Sequence, residues 1–163
     1  ITSMRSYEKA RLELKEIINV RMPENSRAIA HARSYGDLRE NAEYKAAKEE
    51  QAYLTARRHE LETALADIQP TDFTEIEPED RVIPGCTVTL KYPDGSRKAF
   101  HLMGMWDSDP DRAILPYETP LGTLLLGKAL RETVTVPSGE EATVERIERL
   151  SPELLEWATG EDR

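Results

Sequence analysis

Residues 34–44 read SYGDLRENAEY, a turn built on Gly36 between two long stretches that both have helical character. From residue 6 to residue 68 there is no Gly except Gly36 and no Pro except Pro23, and the composition is rich in Glu, Lys, Arg, Leu and Ala, all good helix formers. In the second arm Tyr44, Ala47, Gln51, Leu54, Arg58, Leu61, Leu65 and Ile68 step by three and four alternately, the seam of a coiled coil. The first arm gives Tyr7, Arg11, Leu14 and Ile18, then Met22, Asn25, Ile29 and Ala32. The step from Ile18 to Met22 breaks the heptad phase beside Pro23, where a kink or a slight unwinding is expected. Two such arms joined by a short turn bury their stripes most simply against each other, as an antiparallel hairpin. At ~1.5 Å rise per residue each arm is roughly 42 Å long, so the turn lies far from the base. Small residues near that end (Ala28, Ala30, Ala32, Ala42, Ala46, Ala47) would let the helices approach closely.

After Gln69 the texture changes. The stretch QPTDFTEIEPEDRVIPG has three prolines and five acidic residues and reads as a linker. Beyond it TVTLKY, the turn residues PDGS and KAFHLMG form a hairpin signal. AILPY follows a loop DSDPDR, and in TPLGTLLLGK Thr119 caps a short helix with Pro120 in its first turn. TVTVP, a SGEE turn and ATVERIERL make a second hairpin, and SPELLEWATGEDR reads as one or two capped helical turns with a frayed end. The expected fold is α+β: an antiparallel coiled-coil hairpin over 1–69 with its tip at 35–40, a linker over 70–82, and a sheet with one helix packed on it over 83–163, ending in a short helical tail.

Charge and cysteine content narrow the function classes. Among the 163 residues, 22 Lys/Arg against 31 Asp/Glu give a net charge of −9. Residues 1–69 hold 12 of each sign, so the whole excess lies beyond residue 69. Such a chain is a poor candidate for gripping nucleic acid by its phosphates; DNA is not an expected direct partner, and another protein would hold any nucleic acid. The single cysteine, Cys86, excludes an internal disulfide and points to a reducing, cytoplasmic compartment; its expected place is buried at the start of a strand. His31, His59 and His101 are too scattered to make a thiol–histidine pair or a zinc site. No apolar run approaches the roughly 20 residues that cross a bilayer, and the first residues lack the apolar centre of a secretory signal. No membrane association is expected.

At the turn, Asp37 and Glu40 three residues later form a capping box with Asp in the Ser/Thr place. This reading gives them a purely structural job, worth ~1 kcal/mol. The other reading starts from their position. Two carboxylates at the end of a slender rod can enter a narrow opening in a partner and bind a hard cation such as Mg²⁺, which takes one or two carboxylates. Alone they make a poor metal site, but they would supplement a partner that already holds one ion of a two-ion phosphodiester centre.

AIAHARSYGDLRENAEYKAAKEEQ resembles the hairpin of the bacterial GreA/GreB transcript cleavage factors, TPLGTLLLGK followed by TVTVPSGEEATVERI resembles their C-terminal domain, and YEKARLELKEIINVRMPE aligns as well. The resemblance runs from about Tyr7 to Leu150. It implies that the C-terminal domain is FKBP-like and docks at the rim of the secondary channel of bacterial RNA polymerase. The hairpin would then bring Asp37 and Glu40 to the active centre to help hold the second Mg²⁺ while polymerase cleaves its own backtracked RNA. The chain would be a monomer and no enzyme, with no cofactor of its own; Mg²⁺ would be shared only in the complex, and the nascent RNA 3′ end would be met indirectly. Asp109 and Pro110, in the loop matching the family's acidic docking loop, are candidates for polymerase contact, against a plain Asp-Pro turn. Met105 and Trp106 are candidate apolar anchors or core residues. Arg33, Arg39 and Lys45, with Arg27 and Lys48, would contact RNA or the channel wall, or form a solvated face; Tyr44 would stack on a nucleotide or pack in the seam. The chain departs from the family pattern at Leu130, Arg131 and Glu132, at Trp106 and in the tail. Three alternatives remain: a channel-binding inhibitor without cleavage stimulation, an FKBP-like prolyl isomerase, and a structural coiled-coil adaptor.

Overall fold

The computed structural model describes residues 1–34 and 38–161, with side chains for all of these except 38–41. The chain divides into two units, one spanning Glu8–Ile68 and the other made of Ile1–Tyr7 with Gln69–Arg163.

The first unit is the helical hairpin. Its first arm is α1 (Met4–Glu16), a π-helical turn over Ile17–Arg21 and α2 (Met22–Arg33); its second is α3 (Leu38–Asp67). The arms run antiparallel. Glu13 pairs with Arg57, Arg21 with Glu50, the Asn25 side chain with the Ala47 carbonyl and Arg33 with Tyr44. Every second-arm seam position named from the sequence is buried or half-buried, with Leu54 and Leu61 almost wholly enclosed against Ile17. Of the six alanines, Ala32 is buried and Ala47 half-buried, whereas Ala28, Ala30, Ala42 and Ala46 are exposed; the close approach involves two of them, not six.

The expected unwinding is present and has a specific form. The Met22 N–H bonds to the Ile17 carbonyl, a five-residue step that accommodates one surplus residue in the turn. Seam residues therefore run Leu14, Ile17, Met22, Asn25, Ile29, Ala32, with Ile17 fully buried and Ile18 only half-buried. The heptad reading placed Ile18 on the seam because it assumed α-helical geometry through the break. Asn25, 8% exposed, donates to the Ala47 carbonyl at 2.9 Å. A satisfied polar side chain on a seam fixes register.

The second unit is a five-stranded mixed sheet with a helix on each face. In chain order after a two-residue pair, β1 (Thr2–Ser3) and β2 (Pro70–Thr71), come β3 (Cys86–Lys91), β4 (Arg97–Met103), β5 (Ile114–Pro116), α4 (Pro120–Leu125), β6 (Thr133–Thr135), β7 (Glu141–Arg149) and α5 (Pro152–Thr159). The sheet order is β5-β4-β3-β7-β6, antiparallel except between β4 and β5. Both hairpins predicted from alternation are present. Thr119 caps α4 by accepting the Gly122 N–H.

Alternation along β4 divides two cores. Phe100 and Leu102 join Val88, Leu90, Cys86, Val144 and, from α4, Leu125. Met103 turns the other way to Phe73, Ile114, Leu150 and, from α5, Leu154, Trp157 and Ala158. A bulge in β7 shifts the register, Thr89 facing Arg146 and Leu90 facing Val144. It keeps Ala142, Val144 and then Ile147 against one core. The tail is thus a second packing helix, eight residues long and capped by Ser151, where one helix on the sheet was expected. Cys86 is fully buried at the start of β3, as its sequence position suggested.

The N-terminal boundary also differs from the sequence reading. Residues 1–7 belong with the sheet unit, because β1 pairs in parallel with β2 and the Thr2 N–H bonds to the Gln69 carbonyl. The proline-rich stretch after residue 69 packs into this unit too, with Phe73 and Val82 buried.

Candidate functional site

Three of the sequence candidates, Asp37, Arg39 and Glu40, lie outside the residues whose side chains are described. The capping-box question is therefore posed by the sequence, and the structure describes what surrounds the turn. On its first-arm side α2 ends at Arg33, and Ser34 closes it by bonding to the His31 carbonyl. Across the hairpin the Arg33 guanidinium lies over the Tyr44 ring, 5.5 Å from its centroid, and donates to the Tyr44 hydroxyl at 3.3 Å. That hydrogen bond, with the nearby positive charge, holds the phenol below its ordinary pKa. Tyr44 is half-buried and Arg33 exposed, so the tyrosine serves the seam while its ring supports a cation. Lys45 is exposed one position on; the Lys48 ammonium donates to Gln51. Arg33 and Lys45 are thus exposed near the ends of their helices, four residues before Asp37 and five after Glu40 in sequence.

The second candidate region is the loop between β4 and β5. Asp109 precedes a 3₁₀ turn over Pro110–Arg112, and its carboxylate takes a 2.7 Å bond from Arg112. That bond pulls the carboxyl below its usual range. Asp109 and Ile114 exchange main-chain hydrogen bonds at 3.0 Å, and Ala113 takes a left-handed conformation, φ 56°, which lets the chain turn back into β5. The plain Asp-Pro turn is therefore real, and it leaves Pro110 exposed and Asp109 half-buried. Trp106 is half-buried and Met105 is 36% exposed, so the tryptophan is shared between packing and surface.

Between these candidates sits a residue that the sequence reading missed. Asp107 is fully buried and accepts from the Ser3 N–H at 2.9 Å, the Gly104 N–H at 2.8 Å and the hydroxyls of Ser3 and Ser6. No local signal marks it, since most of its partners are about a hundred positions away. Among the described residues no group of three or more His, Cys, Asp or Glu is placed to hold a metal ion, and no helix is long and apolar enough to cross a membrane.

Comparison with known proteins divides the chain after residue 69 and keeps residues 1–7 with the hairpin. A family model described as "Transcription elongation factor, N-terminal" matches residues 1–69, and one described as "Transcription elongation factor, GreA/GreB, C-term" matches residues 77–149. The transcription elongation factor GreA of Treponema pallidum (strain Nichols) is 39% identical over 140 residues, covering 85% of this chain and 86% of that protein. GreA of Novosphingobium aromaticivorans is 39% identical over 145 residues, covering 87% and 90%. GreA of Buchnera aphidicola subsp. Acyrthosiphon pisum (strain APS) is 36% identical over 141 residues, covering 85% and 89%. Among solved structures, GreA factor homolog 1 of Thermus thermophilus is 23% identical, covers 88% of this chain and 94% of its own, and gives a TM-score of 0.38. Family models over both units and relatives 36–39% identical over most of their length converge: the chain belongs to the GreA/GreB family of transcription elongation factors.

Proposed function

We infer that this protein is a transcript cleavage factor that binds bacterial RNA polymerase, enters its secondary channel hairpin first and stimulates the polymerase's own cleavage of backtracked RNA. The observation that carries the reading is the acidic pair Asp37, which precedes α3 in sequence, and Glu40, in the first turn of α3, where the two paired arms meet, in a chain matched by family models over both units. Two carboxylates three residues apart fit a hard cation shared with a partner better than a closed resident site, because Mg²⁺ retains several waters and accepts one or two carboxylates. When bound in the complex, that ion would supply an activated water and charge stabilisation for phosphodiester cleavage.

The chain's own residues bind and place. Asp37 and Glu40 would offer carboxylate oxygens at the tip. Arg33 and Lys45 would favour the RNA phosphates near its 3′ end through unlocalised attraction. Asp109, Pro110 and Trp106 would meet polymerase at the channel rim. With a net charge of −9, a direct grip on DNA is no part of the proposal, and the protein is not itself the nuclease.

The test is RNA cleavage in stalled elongation complexes with Asp37→Ala and Glu40→Ala. Each is expected to reduce stimulated cleavage to the level without factor while both still compete with the parent chain for polymerase. Unchanged cleavage overturns the assignment. A parent chain that slows elongation and stimulates no cleavage would instead be a channel-binding inhibitor.

A further inference from the structure

A carboxylate removed from water costs several kcal/mol unless its oxygens are matched by donors, and Asp107 is matched almost entirely by the first residues of the chain. One oxygen accepts the main-chain N–H groups of Ser3 and Gly104. The other accepts the hydroxyls of Ser3 and Ser6, with Thr2 at 3.4 Å. Ser3 in turn accepts the Ser6 N–H, capping α1. The same loop is tied to the same strand through its backbone: the Met105 N–H bonds to the Ile1 carbonyl at 2.7 Å, and the Asp107 N–H closes back on Gly104 at 3.1 Å. Gly104 is required for this approach, since a Cβ there would fall on the Thr2 backbone and 2.7 Å from an Asp107 oxygen.

We propose that Asp107 is the positioning residue of loop 105–110: by anchoring it to the N-terminal strand, Asp107 sets how Trp106, Asp109 and Pro110 are presented to polymerase. The proposal rests on the reading that this loop docks. Order present before binding lowers the entropy that binding must overcome, so a loop held from inside binds more tightly than the same loop released. Substitutions should grade according to hydrogen-bond chemistry. Asp107→Ala leaves two N–H groups that cannot reverse. Asp107→Asn keeps one oxygen for them, and its amide nitrogen can face hydroxyls able to turn and accept.

The experiment has two arms on the full chain. Hydrogen exchange at Ser3, Gly104, Met105 and Asp107 or its replacement should accelerate strongly in Asp107→Ala and modestly in Asp107→Asn, while Val88 and Leu90 in the central strand stay protected. In polymerase titrations the factor concentration for half-maximal cleavage should rise about tenfold for Asp107→Ala and by less than half of that for Asp107→Asn, with cleavage at saturation unchanged; tenfold corresponds to about 1.4 kcal/mol of binding. Ser6→Ala, which removes one hydroxyl, should shift both readouts in the same direction and supplies the test if Asp107→Ala does not fold. Unchanged loop exchange overturns the proposal, and so does accelerated exchange with an unchanged half-saturating concentration. A parent chain that does not bind polymerase refutes the docking reading before any variant is compared, whereas the exchange arm still decides whether Asp107 holds the loop.

Discussion

Deleting Val20 should leave the hairpin nearly as stable as before, whereas deleting Ala28, eight residues on and also exposed to water, should damage it. Val20 is 45% exposed and lies within the π-helical turn Ile17–Arg21. The seam before deletion runs 14, 17, 22, 25, 29, 32, with a five-residue step across that turn. Removing Val20 shortens this step to four, so an ordinary α-helix carries Met22, Asn25, Ile29 and Ala32 to the same face. The expected change is within about 1 kcal/mol, since only a half-exposed side chain is lost. Removing Ala28 from α2 instead rotates everything after it by ~100°. Ile29, 8% exposed, and Ala32, 4% exposed, then leave α3. At ~0.8 kcal/mol per buried methylene and ~1.5–3 for an isoleucine, the loss is about 2–4 kcal/mol. Urea unfolding followed by far-ultraviolet circular dichroism, with hydrogen exchange at Ala47 and Leu54 as a local measure, separates the two. Equal damage from both deletions would refute the idea that the π turn stores one surplus residue.

The other predictions concern single side chains. Trp157→Ala removes a ring 6% exposed that also supports the Arg5 guanidinium at 4.9 Å; a cost of ~3–5 kcal/mol is expected in urea unfolding of the sheet unit. Gly104→Ala should speed hydrogen exchange at Ser3 and Met105, because the added methyl collides with Thr2. Glu13 accepts a two-pronged bond from Arg57, which holds its carboxyl below the ordinary 4.5. A depressed folded-state pKa stabilises above the unfolded value and is lost as pH falls through the folded one. The stability difference between the parent and Arg57→Gln should therefore be fully present at neutral pH, begin to shrink as pH falls past the ordinary 4.5, and vanish only below the lowered folded-state value. With both side chains about a third exposed, it should stay under ~1 kcal/mol; a difference that persists at low pH would show that Arg57 acts by packing instead.

Local pattern carried the reading as far as local physics reaches. The second-arm seam is legible because its helix is uninterrupted, so three-and-four spacing maps directly onto burial from Tyr44 to Ile68. Pro23 announced a disturbance, yet the choice between Ile17 and Ile18 depends on a hydrogen-bond step that spacing does not encode. Strands β3 and β4 were visible through Val88, Leu90 and the PDGS turn. The pairing of β1 with β2 and the burial of Asp107 were not, since each joins residues far apart in the chain through motifs too short to stand out. The capped helical turns of the tail were legible, but their packing was not, because Leu154 and Trp157 find partners in Met103 and Ile114 rather than in neighbouring sequence. At the turn, Asp37 and Glu40 came from the resemblance as much as from the capping pattern, and they lie beyond what the structure describes.

The position of Cys86 has a practical consequence for following the hairpin in a polymerase complex. Thiol-directed dyes react with the thiolate, and burial both shields this sulfur and pushes its pKa up. A new cysteine at exposed Ser26 on α2 would therefore take a fluorophore selectively with the native cysteine left in place. The core packing around β3 would remain untouched, and the dye would report optically whether and when the proposed entry of that arm takes place.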